Sequence, residues 1–120
     1  MRVMVTGGRD YGDAQRVFEA LDAIDRHRGP IMCLMQGGAS GADLHARTWA
    51  DLHAVELVTF KAEWKRGRRA GPERNREMVQ VGKPDLVLAF PGRNGTANAI
   101  DEGRCAGIEV IDLANPTVVA

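Results

Sequence analysis

Five short apolar runs rich in β-branched residues alternate with longer segments of helical period, and this alternation constrains the fold of the chain most. The runs cover residues 3–6, 31–35, 55–60, 86–90 and 108–113. Apolar runs separated by segments of helix length are typical of β-α-β units, whose strands lie parallel in one sheet. The sequence therefore predicts a Rossmann-like α/β fold, with a parallel sheet of about five strands flanked by helices.

Polar residues within two of the runs predict the order of the strands. The first, second and fourth runs are apolar almost throughout, as expected of strands that helices cover on both faces. Glu56, Thr59, Glu109 and Asp112 interrupt the third and fifth runs, which indicates edge strands. Right-handed crossovers then give the order 3-2-1-4-5.

Four helices are expected between and after these strands. The first carries apolar residues at helical spacing from Ala14 to Ile24 and ends before Gly29 and Pro30. The other three are predicted to begin near residues 41, 72 and 96, with Ser40, Pro72 and Thr96 as their N-terminal signals.

Length and charge limit the kinds of protein that this chain can be. It has 120 residues, and its sixteen Lys and Arg balance sixteen Asp and Glu. This size predicts one domain over residues 1–120. Because the neutral balance gives no overall attraction to nucleic acid or to an anionic membrane, any anion site must be local. Cys33 and Cys105 indicate reduced thiols, no segment predicts a signal peptide or a membrane span, and we expect a cytoplasmic protein.

Glycine-rich loops follow the first, second and fourth predicted strands, at one edge of the sheet. Glycines let backbone amides approach a ligand closely, and a helix N-terminus adds unpaired N–H groups, so phosphate is the expected ligand. Tight turning between strand and helix is the alternative explanation of any single loop. The loop residues that we predict to bind the ligand are Gly7, Gly8, Arg9, Gly37, Gly38, Ser40, Gly41, Pro91, Gly92, Arg93, Asn94, Gly95 and Thr96.

A long basic connection joins the third strand to the third helix. It has about twelve residues where roughly two to six are usual, and residues 61–76 carry seven Lys and Arg against two Glu. Arg74 and Asn75 fall in the first turn of the predicted third helix, from where they can hold a phosphate and a hydroxyl. Trp64 is predicted either to stack on a base or to be a partly buried structural side chain.

The ordered set of motifs along the chain resembles a known family. The motifs are Gly7-Gly8-Arg9-Asp10-Tyr11, residues 37–43, Ala62-Glu63-Trp64, residues 71–75, residues 83–87, and Phe90-Pro91-Gly92 followed by Gly95-Thr96. Together they resemble the YspA/YpsA-related branch of the SLOG superfamily. The resemblance implies a Rossmann-like domain that binds nucleotides or nucleotide-derived ligands, often as a dimer, and that is related to LOG phosphoribohydrolases and to DprA.

One motif departs from the LOG pattern PGGxGTxxE, in which glycines and threonine hold phosphate and glutamate serves catalysis. Asn98 and Ala99 stand where that pattern has its acidic pair. Glycosidic cleavage normally needs carboxylates, so a LOG-type mechanism would require a substitute. The candidate substitutes are Asp43, Asp10 and Glu73, although Asp43 has the capping-box spacing from Ser40, and Asp10 and Glu73 also suit structural roles.

Three hypotheses for the function follow, in this order. The first is binding of a nucleotide or nucleotide-derived ligand, as a sensor or sponge, by a homodimer or higher homo-oligomer. The second is a nucleotide phosphoribohydrolase, and the third is single-stranded DNA binding through the basic connection. His27, His45 and His53 lie at scattered spacing away from the loops, so we expect no metal site and no cofactor.

Overall fold

The computed structural model describes residues 1–114, which form five strands, four α-helices and one 3₁₀ helix. The strands are β1 (Arg2–Thr6), β2 (Cys33–Gln36), β3 (Glu56–Thr59), β4 (Leu86–Ala89) and β5 (Glu109–Asp112). The helices are α1 (Ala14–His27), α2 (Ala42–Leu52), α3 (Ala70–Gln80) and α4 (Asn94–Cys105), and the 3₁₀ helix (Trp64–Arg69) directly precedes α3.

The strands form one parallel sheet in the order β3-β2-β1-β4-β5. The register places Met4 of β1 opposite Met35 of β2 and Val87 of β4. The predicted fold class and strand order are therefore confirmed, and the two interrupted runs are the edge strands. Residues 115–120 of the predicted domain lie outside the described residues.

Helices cover the sheet on both faces because successive side chains of a strand point to opposite sides. Val3 and Val5 of β1 pack in the core beneath α1 and α2, where Trp49 is fully buried. Met4 packs in the second core, with Met78 of α3 and Ala99 of α4. The three central strands are thus apolar on both faces, as predicted for buried parallel strands.

Three helices begin one or two residues from their predicted starts, and their N-terminal signals differ from the predicted ones. The second helix begins at Ala42 with Gly41 as its N-cap, and Ser40 makes no capping bond because its hydroxyl donates to the Arg9 carbonyl, 2.8 Å away. The third helix begins at Ala70 rather than Pro72, since the 3₁₀ helix runs into it. The fourth begins at Asn94, two residues before Thr96.

Two further properties concern the helices, as candidate membrane spans, and the two cysteines. No helix among residues 1–114 combines the length and the apolar character needed to cross a lipid bilayer. Cys33 is buried and Cys105 is exposed, and both are free thiols.

Gly7, at the end of β1, is expected to be essential for the close packing of α2 against β4. A Cβ atom at Gly7 would lie 2.6 Å from the Ala42 Cβ and 3.0 Å from the Phe90 Cβ. We predict that Gly7→Ala lowers the free energy of unfolding by about 1–3 kcal/mol, the usual cost of overpacking. Gly12 has no neighbouring atom within 4 Å of such a Cβ. Gly12→Ala is therefore the control, and equal denaturant midpoints for the two variants would contradict the prediction.

Candidate functional site

A cavity of about 770 Å³ lies at the carboxyl end of β1, beside the loop that follows β4. This is the point where the strand order reverses, at which open α/β sheets form their ligand crevices, and the volume falls in the range of small-molecule sites. Ten of the residues predicted to bind a ligand line the cavity: Gly7, Gly8, Arg9, Trp64, Arg74, Asn75, Arg93, Asn94, Gly95 and Thr96.

Backbone hydrogen bonds of Gly8 hold the loops around the cavity together. The Gly8 amide donates to the Pro91 carbonyl at 2.8 Å, and the Gly8 carbonyl accepts from the Ala42 amide at 3.2 Å. The loops after β1 and β4 therefore lie side by side, as predicted. Gly41 has a φ of +72°, and a Cβ atom there would collide with the Gly8 carbonyl oxygen. Glycine at position 41 is thus required by this close backbone approach.

The N-terminus of α4 is open toward the cavity. The first backbone bond of this helix runs from the Ala97 amide to the Arg93 carbonyl at 3.0 Å. Within residues 1–114, the amides of Asn94, Gly95 and Thr96 have no hydrogen-bond acceptor, and Arg93 provides no side-chain cap. These free donors and the helix dipole give this end of the cavity a local positive potential.

Thr96, a largely buried residue, places its hydroxyl group beside these amides. The residue is only 6% exposed and lines the cavity, yet its hydroxyl makes no hydrogen bond to any described residue. A Cβ atom at position 92 would collide with this hydroxyl. Gly92 therefore leaves the space that the Thr96 hydroxyl occupies, although Gly92 does not itself line the cavity.

Arg74 lies between the cavity and the loop after β2. Its Nη1 donates to the Gly37 carbonyl at 3.0 Å and to the Phe60 carbonyl at 3.4 Å, and its Nε donates to the Asn75 Oδ1 at 2.9 Å. Burial lowers the pKa of the Arg74 guanidinium, and the nearby Asp43 carboxylate opposes this shift. Arg74 is the fifth residue of α3 rather than part of its first turn, and its Nη2 has no partner among the described residues.

The loop after β2 contributes less to the cavity than the sequence predicts. Gly37, Gly38, Ser40 and Gly41 do not line it, and neither do Pro91 and Gly92 of the loop after β4. Gly38 instead borders a second cavity of about 320 Å³, which shares Ala39 and Asp43 with the first.

Asp43 occupies two backbone amides of this loop. Its Oδ2 accepts from the Gly37 amide at 3.1 Å and from the Ala39 amide at 3.2 Å. The expected capping box with Ser40 is therefore wrong, because the carboxylate binds the preceding loop. Burial raises the pKa of Asp43, while the Ala39 amide and Arg74 oppose the shift. Asp43 remains in the lining of both cavities.

The other two candidate carboxylates have different surroundings. Asp10 lines the cavity, is exposed, and lies 3.7 Å from the Arg93 guanidinium. Glu73 is outside the lining and forms ion pairs with Arg66 at 3.0 Å and Arg69 at 3.6 Å. Glu73 therefore neutralises part of the basic connection.

Trp64 presents its ring at the cavity edge. It is 55% exposed, and the Arg9 guanidinium lies 4.9 Å from the ring centroid. The sequence left open a stacking role and a buried structural role, and the exposure favours an accessible ring. Arg68 of the same 3₁₀ helix also lines the cavity.

Sequence reasoning missed Asn98 as a lining residue. Its Oδ1 accepts from the Asn75 Nδ2 at 3.0 Å, and Asn75 also donates to the Gly95 carbonyl at 3.1 Å. The available signal was its spacing of four residues from Asn94, which places both on one face of α4. Among residues 1–114, no group of three or more His, Cys, Asp or Glu could hold a metal ion.

Comparisons with solved structures match the observed fold. DNA processing protein A (DprA) from Streptococcus pneumoniae superposes with a TM-score of 0.75 at 16% identity, over 98% of this chain and 51% of that one. This chain thus spans about half the length of DprA. The Moco carrier protein from Chlamydomonas reinhardtii has a TM-score of 0.67 at 16% identity, over 97% of this chain and 78% of that one. At these identities the similarity shows the fold alone.

Sequence comparisons identify the family. The gene 61 protein of Mycobacterium phage D29 is 40% identical over 123 residues, which cover 95% of this chain and 97% of the phage protein. The model of the YAcAr family, described as the YspA, cpYpsA-related SLOG family, matches residues 1–67. The resemblance inferred from the motifs is therefore confirmed, and the chain belongs to the YspA, cpYpsA-related SLOG family.

Proposed function

We propose that this protein binds a nucleotide or nucleotide-derived ligand in the 770 Å³ cavity, with the phosphate at the N-terminus of α4. The observation that carries the proposal is Thr96, a residue only 6% exposed that lines the cavity, whose hydroxyl has no partner within residues 1–114 and lies beside three backbone amides that also have none. No enclosed side-chain polar atom of residues 1–114 lacks a hydrogen-bond partner, so this unpaired hydroxyl is accessible from the cavity. A phosphate oxygen would accept hydrogen bonds from the hydroxyl and the amides at once.

Cationic side chains support an anionic ligand at the same place. Arg93 precedes α4, and its exposed ion pair with Asp10 is long enough to be weak. Arg74 keeps Nη2 free for a charge-assisted hydrogen bond. The phosphate would therefore meet backbone amides, a hydroxyl and guanidinium groups, all of which can donate.

The accessible ring of Trp64 supports a base on the ligand. Indole rings stack well on nucleobases, and the Arg9 guanidinium covers part of the same ring. The DNA-binding hypothesis has less support, because Glu73 pairs with two arginines of the basic connection. An oligonucleotide therefore serves as a comparison ligand in the binding experiments.

A homo-oligomer, which the sequence predicts, stays a prediction. The outward face of α2 carries Leu44 and Leu52, which are 49% and 70% exposed. Their spacing of eight residues puts them on one helix face, which suits pairing with a second copy.

Thr96→Val tests the phosphate position. The substitution keeps the shape of the side chain and removes the hydroxyl, so we expect binding of adenosine monophosphate to weaken by about 1.5–3 kcal/mol in calorimetry. The free energy of unfolding should not fall, since the hydroxyl has no partner in the described chain. Thr48→Val, on the exposed face of α2, is the control and should leave affinity unchanged. Wild-type affinity in Thr96→Val would contradict the proposal.

Trp64→Ala tests the base. We expect adenosine monophosphate to bind more weakly by about 1–3 kcal/mol, the usual loss of one stacking contact. Binding of inorganic phosphate should stay the same, because that ligand has no base. Trp64→Phe retains an aromatic ring and should recover most of the affinity. An equal loss for both ligands would show that Trp64 supports the fold of the site rather than a base.

A second candidate function, hydrolysis of the N-glycosidic bond of a nucleoside monophosphate, is favoured by Asp43. This carboxyl lines the cavity and its pKa is raised by burial, a combination suited to acid catalysis. In this reaction water replaces the base on the sugar, so chromatography of the binding mixtures would detect free base. We expect Asp43→Asn to abolish this release. Intact nucleotides after incubation with catalytic amounts of wild-type protein would eliminate this candidate.

A further inference from the structure

Three side chains form a chain of hydrogen bonds from the loop after β2 to the cavity wall. Arg74 donates through Nε to Asn75 Oδ1 at 2.9 Å, and Asn75 donates through Nδ2 to Asn98 Oδ1 at 3.0 Å. We call this chain of Arg74, Asn75 and Asn98 the polar relay. Asn75 is its middle member and is only 3% exposed.

The direction of the polar relay is fixed by chemistry. A guanidinium can only donate, so the side chain of Asn75 must turn its oxygen toward Arg74. The Gly95 carbonyl can only accept, so the Asn75 nitrogen must face α4, where it donates at 3.1 Å. The reverse amide orientation would place a donor against Arg74 and an acceptor against Gly95. Both ends of the Asn75 amide are therefore assigned independently of Asn98.

The orientation of Asn98 follows from that of Asn75. Since Asn75 offers it an N–H group, Asn98 must present its oxygen to Asn75 and its own nitrogen elsewhere. Asn98 is half-buried and lines the cavity, and its Nδ2 has no partner among the described residues. The amide of Asn98, a residue that lines the cavity, thus keeps two N–H groups without an acceptor within residues 1–114.

We infer that Asn98 is a specificity-determining residue that donates a hydrogen bond to an oxygen of the ligand's ribose phosphate. This inference rests on the proposed function and adds a residue to its site. Asn98 lies one turn beyond Asn94, the first residue of α4, so its donor extends the row of donors away from the helix end. These donors along α4 favour a ligand rich in oxygen acceptors and disfavour cationic groups.

Replacing the donor at position 98 by an acceptor distinguishes a ligand-binding role of Asn98 from a purely structural one. An aspartate at position 98 would still accept from Asn75 and would preserve the polar relay. It would also turn a charged acceptor toward the ligand in place of a donor. The fold should therefore tolerate the change, whereas the binding of an anion should not.

The orientation of Asn98 can be tested in the ligand-free protein. Side-chain amide exchange measured by nuclear magnetic resonance should be slow for Asn75, whose two N–H groups are bonded to Gly95 and Asn98. Exchange should be much faster for Asn98, whose N–H groups face the cavity. Equal protection of both side-chain amides would overturn the assigned direction of the relay.

Calorimetric titration of adenosine monophosphate into variants tests whether Asn98 binds the ligand. Asn98→Ala should weaken binding about tenfold, and Asn98→Asp should weaken it more, because the new charge repels phosphate. Gln80→Glu adds the same charge at the exposed end of α3 and should bind as the wild type does. Thermal unfolding should show that Asn98→Asp remains folded.

The outcomes separate this inference from the proposed function. If the wild type binds adenosine monophosphate and Asn98→Asp binds as well as Gln80→Glu, the role of Asn98 is overturned and the proposed function stands. If the wild type binds neither adenosine monophosphate nor inorganic phosphate, the proposed function fails and this inference fails with it.

Discussion

The backbone of Gly8 is the junction on which the site depends. Its amide is bonded to Pro91 after β4, and its carbonyl is bonded to Ala42 at the start of α2. The first amide of α2 is therefore occupied by a carbonyl group, whereas the first three amides of α4 have no acceptor within residues 1–114. Because Gly41 and Gly8 meet at backbone distance, a side chain there would push the loops apart. The backbone contacts of Gly8 thus fix the loop after β1 against the loop after β4 and against α2.

Asp43 and Arg74, two charged residues beside the cavity, both bind the loop after β2. Asp43 accepts from two amides of this loop, and Arg74 donates to the Gly37 carbonyl. Burial raises the pKa of Asp43 and lowers that of Arg74, and in each case the other residue opposes the shift. The two side chains therefore compensate each other's desolvation while they fix a glycine-rich turn. That turn therefore stabilises the structure of the site, whereas the N-terminus of α4 supplies most of the hydrogen-bond donors without a partner in residues 1–114.

Much of this architecture could be predicted because it depends on local patterns. Polar residues such as Glu56 and Asp112 identified the edge strands, and the strand order then placed the loops after β1 and β4 together. The start of α3 could not be predicted, since the 3₁₀ helix before it has no side-chain cap that marks a boundary. The Gly37 carbonyl accepts a hydrogen bond from Arg74, which is thirty-seven residues away in the sequence. Such contacts arise only when the chain is folded.

The residues that replace the acidic pair of LOG enzymes differ in their surroundings, and this difference bears on the choice between binding and catalysis. Ala99 is fully buried in the core with Met4 and Val87. A carboxylate at position 99 would enter an apolar core, where an unpaired charge is costly. Asn98 instead faces the cavity with an orientation set by Asn75. In this chain position 99 is part of the core and position 98 carries a neutral donor, which supports the proposed binding function over the alternative of glycosidic cleavage.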